Sequence, residues 1–372
     1  MPVPQGPPLP RPYPHHNDIG VERMIKRWWR RLLKVVLWGV AALVCLEVLC
    51  FLIVVLSTYY LYGQFWEGEA VRYDPYALYL TGAGVRPTAN NPASPDPNTH
   101  RHIWMMGGST VRGVTDFDER TIPSYLARML NQEEPRLPAV VWNFGVDGFN
   151  SLMEAKYLQK LLIEKQPSPA AIIFYDGAND CTYFAQYRTP DAHHGYRQVR
   201  ALIESYHGSF FGLLKPLNAA LYASYTRDFY DKVRQGVIPI EEGDRVLAEF
   251  VQSAVRRYDY LHRLAEGFGA RFLLVWQPMW WVEDGRVDEG VKKQEKEYMI
   301  IGKHFSLIHN FRVTYRALSG ELRRKPYFVD FQNILCTRTE PTYQSDGIHL
   351  TDAGRELVAR HLARRLRQER RP

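Results

Sequence analysis

The sequence predicts an α/β domain built on a doubly wound parallel sheet, carried behind one membrane-spanning helix. Three observations predict it. Short apolar runs alternate with longer helical patterns through the last three quarters of the chain. A single apolar run of 23 residues, Val35 to Ser57, stands near the N-terminus. Hydrophobic residues make up 46% and charged residues 23% of 372, which is ordinary globular usage and excludes a wholly disordered, collagen-like or coiled-coil chain. Four cysteines are too few for a disulfide scaffold.

The apolar runs are His102–Met106, Ala139–Phe144, Ala170–Tyr175, Arg271–Trp276 and Tyr327–Phe331, each bounded by Gly, Pro, Asp or Asn. Near-continuous hydrophobicity suits parallel strands buried on both faces. Helical patterns fall at about 121–133, 152–165, 246–267, 288–319 and 351–369. Strands alternating with helices imply crossover units and a parallel sheet of about five strands, with helices on both faces.

Ahead of that domain, residues 1–34 hold seven prolines among the first fourteen positions and then Lys26-Arg27-Trp28-Trp29-Arg30-Arg31. The proline-rich part lacks helix donors and has little to bury, so it is expected as a disordered or polyproline tail. The run 35–57 spans roughly 34 Å as a helix, enough for a bilayer core. It is too long for the apolar region of a signal peptide, and Thr58-Tyr59-Tyr60-Leu61-Tyr62 is no small-residue cleavage site. Trp28, Trp29 and Trp38 toward one side, and Tyr59, Tyr60, Tyr62 and Trp66 toward the other, suit two aromatic belts. The cationic flank puts the N-terminus in the cytoplasm and the rest of the chain outside it, most simply across a bacterial cytoplasmic membrane. Glu47 interrupts the run, where a charge costs at least a few kcal/mol. Its simplest reading is a protonated acid; a carboxyl facing a partner helix is the alternative.

Residues 58–99 are expected as a juxtamembrane segment and linker, with 84–98 (GVRPTANNPASPDPN) as a linker or long surface loop. The catalytic-type domain then occupies 100–372. Although the net charge is +7, residues 1–34 carry +5 and residues 355–372 another +5, leaving −3 for the stretch between. Nothing there forms a basic footprint for nucleic acid.

In a doubly wound sheet, chemistry collects at the carboxyl ends of the strands. Gly107-Gly108-Ser109-Thr110 follows the first strand, Gly145-Val146-Asp147-Gly148 the second, and Gly177-Ala178-Asn179-Asp180 the third. Asp346-Gly347-Ile348-His349 follows the fifth. Each block alone is commonplace: a flexible turn, a helix cap, a surface ion pair. Together they supply a nucleophile, small residues, an amide and a carboxylate–imidazole pair, which is an acyl-transfer set.

These blocks resemble the SGNH, or GDSL-like, hydrolases over about residues 100–366. The departure is Gly-Gly-Ser-Thr where the family's namesake has Gly-Asp-Ser. The resemblance implies a flavodoxin-like sheet and esterase-type chemistry on O-acyl groups. The residues account for that chemistry independently. A serine hydroxyl needs an adjacent base, for which His349 is the candidate, with Asp346 holding the imidazole tautomer. The expected oxyanion donors are the backbone N–H groups of Ser109 and Gly145 and the side-chain amide of Asn179. His193-His194 and His304/His309 lack companions at metal-ligand spacing, so no metal and no cofactor are expected.

Residues 181–270 are longer than a crossover needs, and Tyr183 to Tyr230 holds eleven aromatic residues, among them Tyr187, Tyr196, Phe210, Phe211 and Tyr225. This insertion, about 181–245, reads either as a helical unit with its own core or as a wall over the site. Gln277, Trp280 and Trp281 follow the fourth strand and are expected to contact substrate, against plain core packing. Cys181 and Cys336 both lie in strand-end loops, so in an oxidising compartment they are candidates for a disulfide.

The function expected is a serine esterase or deacetylase acting on an acylated cell-surface glycan or another ester substrate. A polysaccharide O-acetyltransferase uses the same acyl-enzyme and is the nearest alternative. A non-catalytic scaffold or carbohydrate-binding subunit of an envelope export machinery is the alternative outside enzymes.

Overall fold

The computed structural model describes Gly6 and residues 18–62, 71–164, 167–208, 224–299 and 305–368. The proline-rich tail, Trp66, Phe210, Phe211 and His304 lie outside the described residues.

The first helix, α1, runs Asp18–Tyr62 and contains a stretch, Glu22–Ser57, long and apolar enough to cross a membrane. Most of its side chains from Val35 to Leu56 are exposed, as a lipid-facing helix requires. A hairpin follows, β1 (Val71–Asp74) paired antiparallel to β2 (Leu78–Thr81). Asp74 closes its turn by accepting from the N–H groups of Tyr76 (2.9 Å) and Ala77 (2.7 Å). Ala77 and Leu80 enter the main core, so the hairpin belongs to the domain rather than to a free juxtamembrane segment.

The central sheet contains β3 (Arg101–Gly107), β4 (Ala139–Gly145), β5 (Ala171–Asp176), β6 (Arg271–Trp276) and β7 (Phe328–Asp330). Their order is β4-β3-β5-β6-β7, all parallel. This is the doubly wound frame the alternation predicts. The order reverses between β3 and β5, each strand turning its neighbour to the opposite side, and the carboxyl ends there form the crevice such sheets use for ligands.

Successive side chains of each strand feed two separate cores, because the strand period is two. Trp104, Met106, Ile172, Phe174, Leu274 and Trp276 fill one face, and Ile103, Met105, Ile173, Tyr175, Leu273 and Val275 the other. Helix α3 (Ile122–Glu133) covers the second face with α11 (Asp352–Gln368). Between β3 and α3 lies the one-turn α2 (Ser109–Arg112). The first face is covered by α4 (Ser151–Ile163), α5 (Ala178–Tyr187), α8 (Arg245–Gly267) and α10 (Phe305–Leu322). Within the insertion are α6 (Tyr196–Gly208) and α7 (Tyr225–Val237).

Two local expectations change. The helical pattern at 288–319 is two helices, α9 (Glu289–Tyr298) and α10. Met299, just after α9, is buried in one core, whereas Phe311, Tyr315 and Leu318 of α10 are buried in the other. One straight helix cannot serve both faces. Residues 84–98 are no free linker. Arg86 donates to Asp118 (2.9 Å) and to the carbonyls of Arg112 (3.2 Å) and Thr115 (2.7 Å). The Asn91 side chain exchanges two 2.9 Å hydrogen bonds with the backbone of Val141 on β4. The segment is a strap along the outer edge of the sheet.

Glu47 differs as well. Its carboxylate accepts from the backbone N–H groups of Tyr225 and Thr226 (the latter 3.1 Å) and from Thr226 Oγ1 (2.7 Å). The carboxyl therefore faces another helix, the alternative the sequence offered, rather than standing alone in the apolar run.

Candidate active site

Three strand-end blocks meet at the crevice. Ser109 opens α2 directly after β3, half-buried, and its Oγ lies 2.7 Å from His349 Nε2. His349 Nδ1 pairs with Asp346 Oδ2. The other oxygen, Oδ1, accepts from the N–H groups of Ile348 and His349, both at 2.9 Å. Asp346 therefore grips its own turn while orienting the imidazole, which is why a spacing of three residues suffices. Burial alone would push the Asp346 carboxyl up, but the bond and charge of His349 and the two N–H groups hold it below the ordinary carboxylate value. Burial works against the imidazolium too, yet the Asp346 bond and charge, with Asp147 beyond, raise His349 above its usual value.

The turn bearing the pair is braced from beneath. Gly347 adopts φ +71°, and its carbonyl accepts from the backbone N–H of Trp280 (2.9 Å). Trp280 donates through Nε1 to Glu295 (2.9 Å), and Glu295 also accepts from Thr342 N (3.1 Å) and from Arg338. Arg338 is bound on its other side by Glu283, and all three charged side chains are buried. Breaking such a buried set by removing one partner costs roughly 3–5 kcal/mol.

The three residues after β6 do not form an open substrate wall. Trp281 is fully buried, edge-on to Phe311, and Gln277 is buried with its carbonyl accepting from Tyr315 OH (3.0 Å). Trp280 is half-buried under Lys292. Core packing and support of the histidine turn account for all three.

Of the three expected oxyanion donors, Ser109 and Asn179 keep an N–H for a ligand, and Gly145 has its own engaged. Asn179, half-buried at the start of α5, donates one amide hydrogen to the Phe149 carbonyl (2.6 Å), which leaves its second available. Ser109 N–H sits in the first turn of α2, where helix N–H groups lack intrahelical partners. Gly145 is buried, and its N–H donates to Asn143 Oδ1 (3.1 Å). A Cβ there would lie 2.3 Å from the Arg112 backbone nitrogen. Gly145 thus lets β4 pass close to α2 and does not face the crevice. Gly148, three residues on, is half-buried, adopts φ +73°, and donates its N–H to no protein acceptor among the described residues. The spacing of the second block hid this, because both glycines follow the same strand.

Gly108 explains the departure from Gly-Asp-Ser. A Cβ at that position would lie 2.5 Å from Asn179 Nδ2 and 3.0 Å from the Phe149 carbonyl. The space an acidic side chain would need is taken by the amide itself.

Sequence reasoning also missed the mouth. Tyr79 of the hairpin donates to the Asp147 carbonyl (3.1 Å), and Tyr183 donates to the Gly148 carbonyl (3.0 Å). Exposed His194 packs its ring on Tyr79 and Tyr183 beside Gly148. Beneath Asn179 lies a buried acid cluster. Asp180 accepts from Ser151 Oγ (2.5 Å) and neighbours Arg257, while Asp176 accepts from Tyr258 (2.9 Å). Burial, then the charge of Asp180, pushes Asp176 up to about 8; burial, then the charge of Asp176, raises Glu154 as well.

Cys181 and Cys336 are both buried free thiols, not a disulfide. Cys181 points from α5 into the first-face core, whereas Cys336 packs against Gly285 and Asn333.

No protein-family model matches the chain, and no curated protein matches it. Solved structures do. A lipase/acylhydrolase from Enterococcus faecalis is 16% identical over 72% of this chain and 96% of its own, with a TM-score of 0.36. TesA is 14% identical over 71% of this chain and 97% of its own, at 0.34. A two-domain esterase active on acetylated mannans is 14% identical over 73% of this chain and half of its own, at 0.36. Identities this low with TM-scores below 0.5 leave Ser109, His349 and Asp346 to be assigned from their own geometry, at the carboxyl end of a doubly wound α/β sheet.

Proposed function

We propose that the protein is a membrane-anchored serine esterase that removes O-acyl groups from a surface glycan. The observation that supports this best is the continuous chain Ser109 Oγ, His349 Nε2, His349 Nδ1, Asp346 Oδ2. Ser109 Oγ attacks the ester carbonyl as its proton passes to His349 Nε2. The tetrahedral oxyanion is met by the N–H groups of Ser109 and Gly148 and the free amide hydrogen of Asn179. Collapse breaks the bond to the alcohol oxygen, which leaves with the proton from His349. Water then attacks the acyl-enzyme by the same route, releasing the acid and restoring Ser109. Loss of one oxyanion donor typically costs roughly a hundredfold or more in rate.

The glycan part of the reading rests on the anchor: a helix able to span the bilayer, with Lys and Arg on its N-terminal side, supports a domain held outside the cytoplasm. Acylated envelope polysaccharide is an ester within reach there. A fluorophosphonate reporter tests the chemistry. Wild-type protein is labelled at Ser109, and Ser109→Ala and His349→Ala are not; turnover in both falls by several orders of magnitude. Labelling of Ser109→Ala at the wild-type rate overturns the reading. Product analysis with an added glycan then tells water from a sugar hydroxyl as the acyl acceptor.

A further inference from the structure

We propose that α6 and α7 form a second membrane-contacting element, seated on the membrane-spanning helix through Glu47 and immersed in the lipid of the outer leaflet. This rests on the reading of α1 as the anchor.

Glu47 lies ten residues before the end of the apolar run at Ser57, roughly 15 Å below it at 1.5 Å per residue. A lone carboxylate at that depth is costly. Here it meets the first N–H groups of α7, the orphan donors of a helix, at the positive end of its dipole. Glu47 thus acts as a helix cap delivered from another helix, while Ser224 caps locally by accepting from Arg227 N (3.2 Å). One turn along α1, the Phe51 ring meets the Tyr225 ring edge-on at 4.9 Å. Cys50 is buried in the same seam, and Cys45 is exposed. The start of α7 therefore sits at the depth of Glu47, within the bilayer. The nearby Asp228 faces the protein, acting on Tyr187 and Arg197.

The exposed surface of this unit carries large apolar side chains interleaved with Gln198, Arg200 and Arg227, the mixed face of an interfacial helix. Ile203 on α6 is 55% exposed, and Tyr230 and Val233 on α7 are 61% and 42% exposed. The two helices touch, Arg197 donating to the Arg227 carbonyl (3.0 Å). The sequence joining them, residues 209–223, carries a single charge, Lys215, among six Phe and Leu residues. Apolar side chains beside the anchor, with Arg197, Arg200, Arg227 and Arg234 spread along the two helices, match an element lying against the membrane beside α1. The acyl-transfer site is then held at a fixed height over the membrane.

The test uses the full chain in lipid nanodiscs, with Cys45, Cys50, Cys181 and Cys336 replaced by Ala. Bimane is placed on single cysteines at Trp38→Cys (anchor), Ile203→Cys, Val233→Cys and Val114→Cys (aqueous side). Doxyl-phosphatidylcholine is expected to quench positions 38, 203 and 233, and iodide to quench 114 alone. No doxyl quenching at 38 overturns the anchor itself. Quenching at 38 but not at 203 and 233 leaves the anchor standing and overturns this inference, whether iodide reaches them or a partner protein shields them from both. Adding Glu47→Ala is expected to lower doxyl quenching at 233 at least twofold with 38 unchanged. Equal quenching at 233 removes Glu47 as the seat.

Discussion

The Trp281 indole lies directly beneath Gly347, so close that a Cβ on Gly347 would stand 2.4 Å from Nε1. The glycine is also in the left-handed region, at φ +71°. Gly347→Ala must therefore lift the turn that carries Asp346 and His349, and it adds backbone strain of about 1 kcal/mol or more. The expected result is at least a tenfold fall in kcat with a modest loss of thermal stability. Steady-state kinetics with a small ester, beside a melting curve, check it; unchanged kcat would show the turn to be rigid without this contact.

Gly108→Ala tests the opposite wall. The new methyl group displaces the Asn179 amide while leaving the triad untouched. The expected loss is roughly tenfold to a hundredfold in kcat, with fluorophosphonate still directed to Ser109. Activity equal to wild type would exclude Asn179 from the oxyanion site.

Activity and stability should move in opposite directions between about pH 6.5 and 8. His349 must be neutral to take the serine proton, and its value is raised above 6.5, so kcat/KM climbs above that pH. The same raised value favours the folded state below pH 6.5 and is lost as pH rises through the folded value. The buried carboxyls add to the fall. Asp176 is pushed up to about 8, and Glu154 is raised too, so the native state binds more protons than the unfolded one from about pH 4 to 8. Melting temperatures should decline across this range, and Glu154→Gln should flatten the decline. A melting temperature that rises from pH 5 to 8 contradicts it.

Topology is open to a fusion experiment. A phosphatase reporter after residue 372 should be active only outside the cytoplasm. Activity of a cytoplasm-dependent reporter at the same place would overturn the orientation and the surface substrate with it.

The sheet and the triad were legible in the sequence because both depend on short-range signals. Five apolar runs and the small, nucleophilic and charged residues just after them need only the rule that strand ends meet. What was not legible depends on three-dimensional contact. Gly145 and Gly148 follow one strand, and only the Asn143 side chain, which occupies the Gly145 N–H, tells them apart. Trp281 and Gln277 stand in a strand-end loop as Ser109 and Asn179 do, yet that loop turns inward to prop the histidine turn. Cys181 and Cys336 share an edge of the sheet in sequence logic, but helix phase aims one of them into the core. Glu47 looked like an isolated charge because its partner lies 178 residues away.

The strap at 84–98 sets where an independently folding head can begin. Cutting the chain at residue 100, where the regular alternation starts, would strip Asn91 from the Val141 backbone and Arg86 from three carbonyl and carboxylate partners. It would also remove Ala77 and Leu80 from the core. The β4 edge would then offer unpaired N–H and C=O groups to any other strand, a template for self-association. A soluble head freed of its anchor has to keep the hairpin from Val71 onward, so the boundary between tether and folded domain lies about thirty residues earlier than the first strand of the sheet.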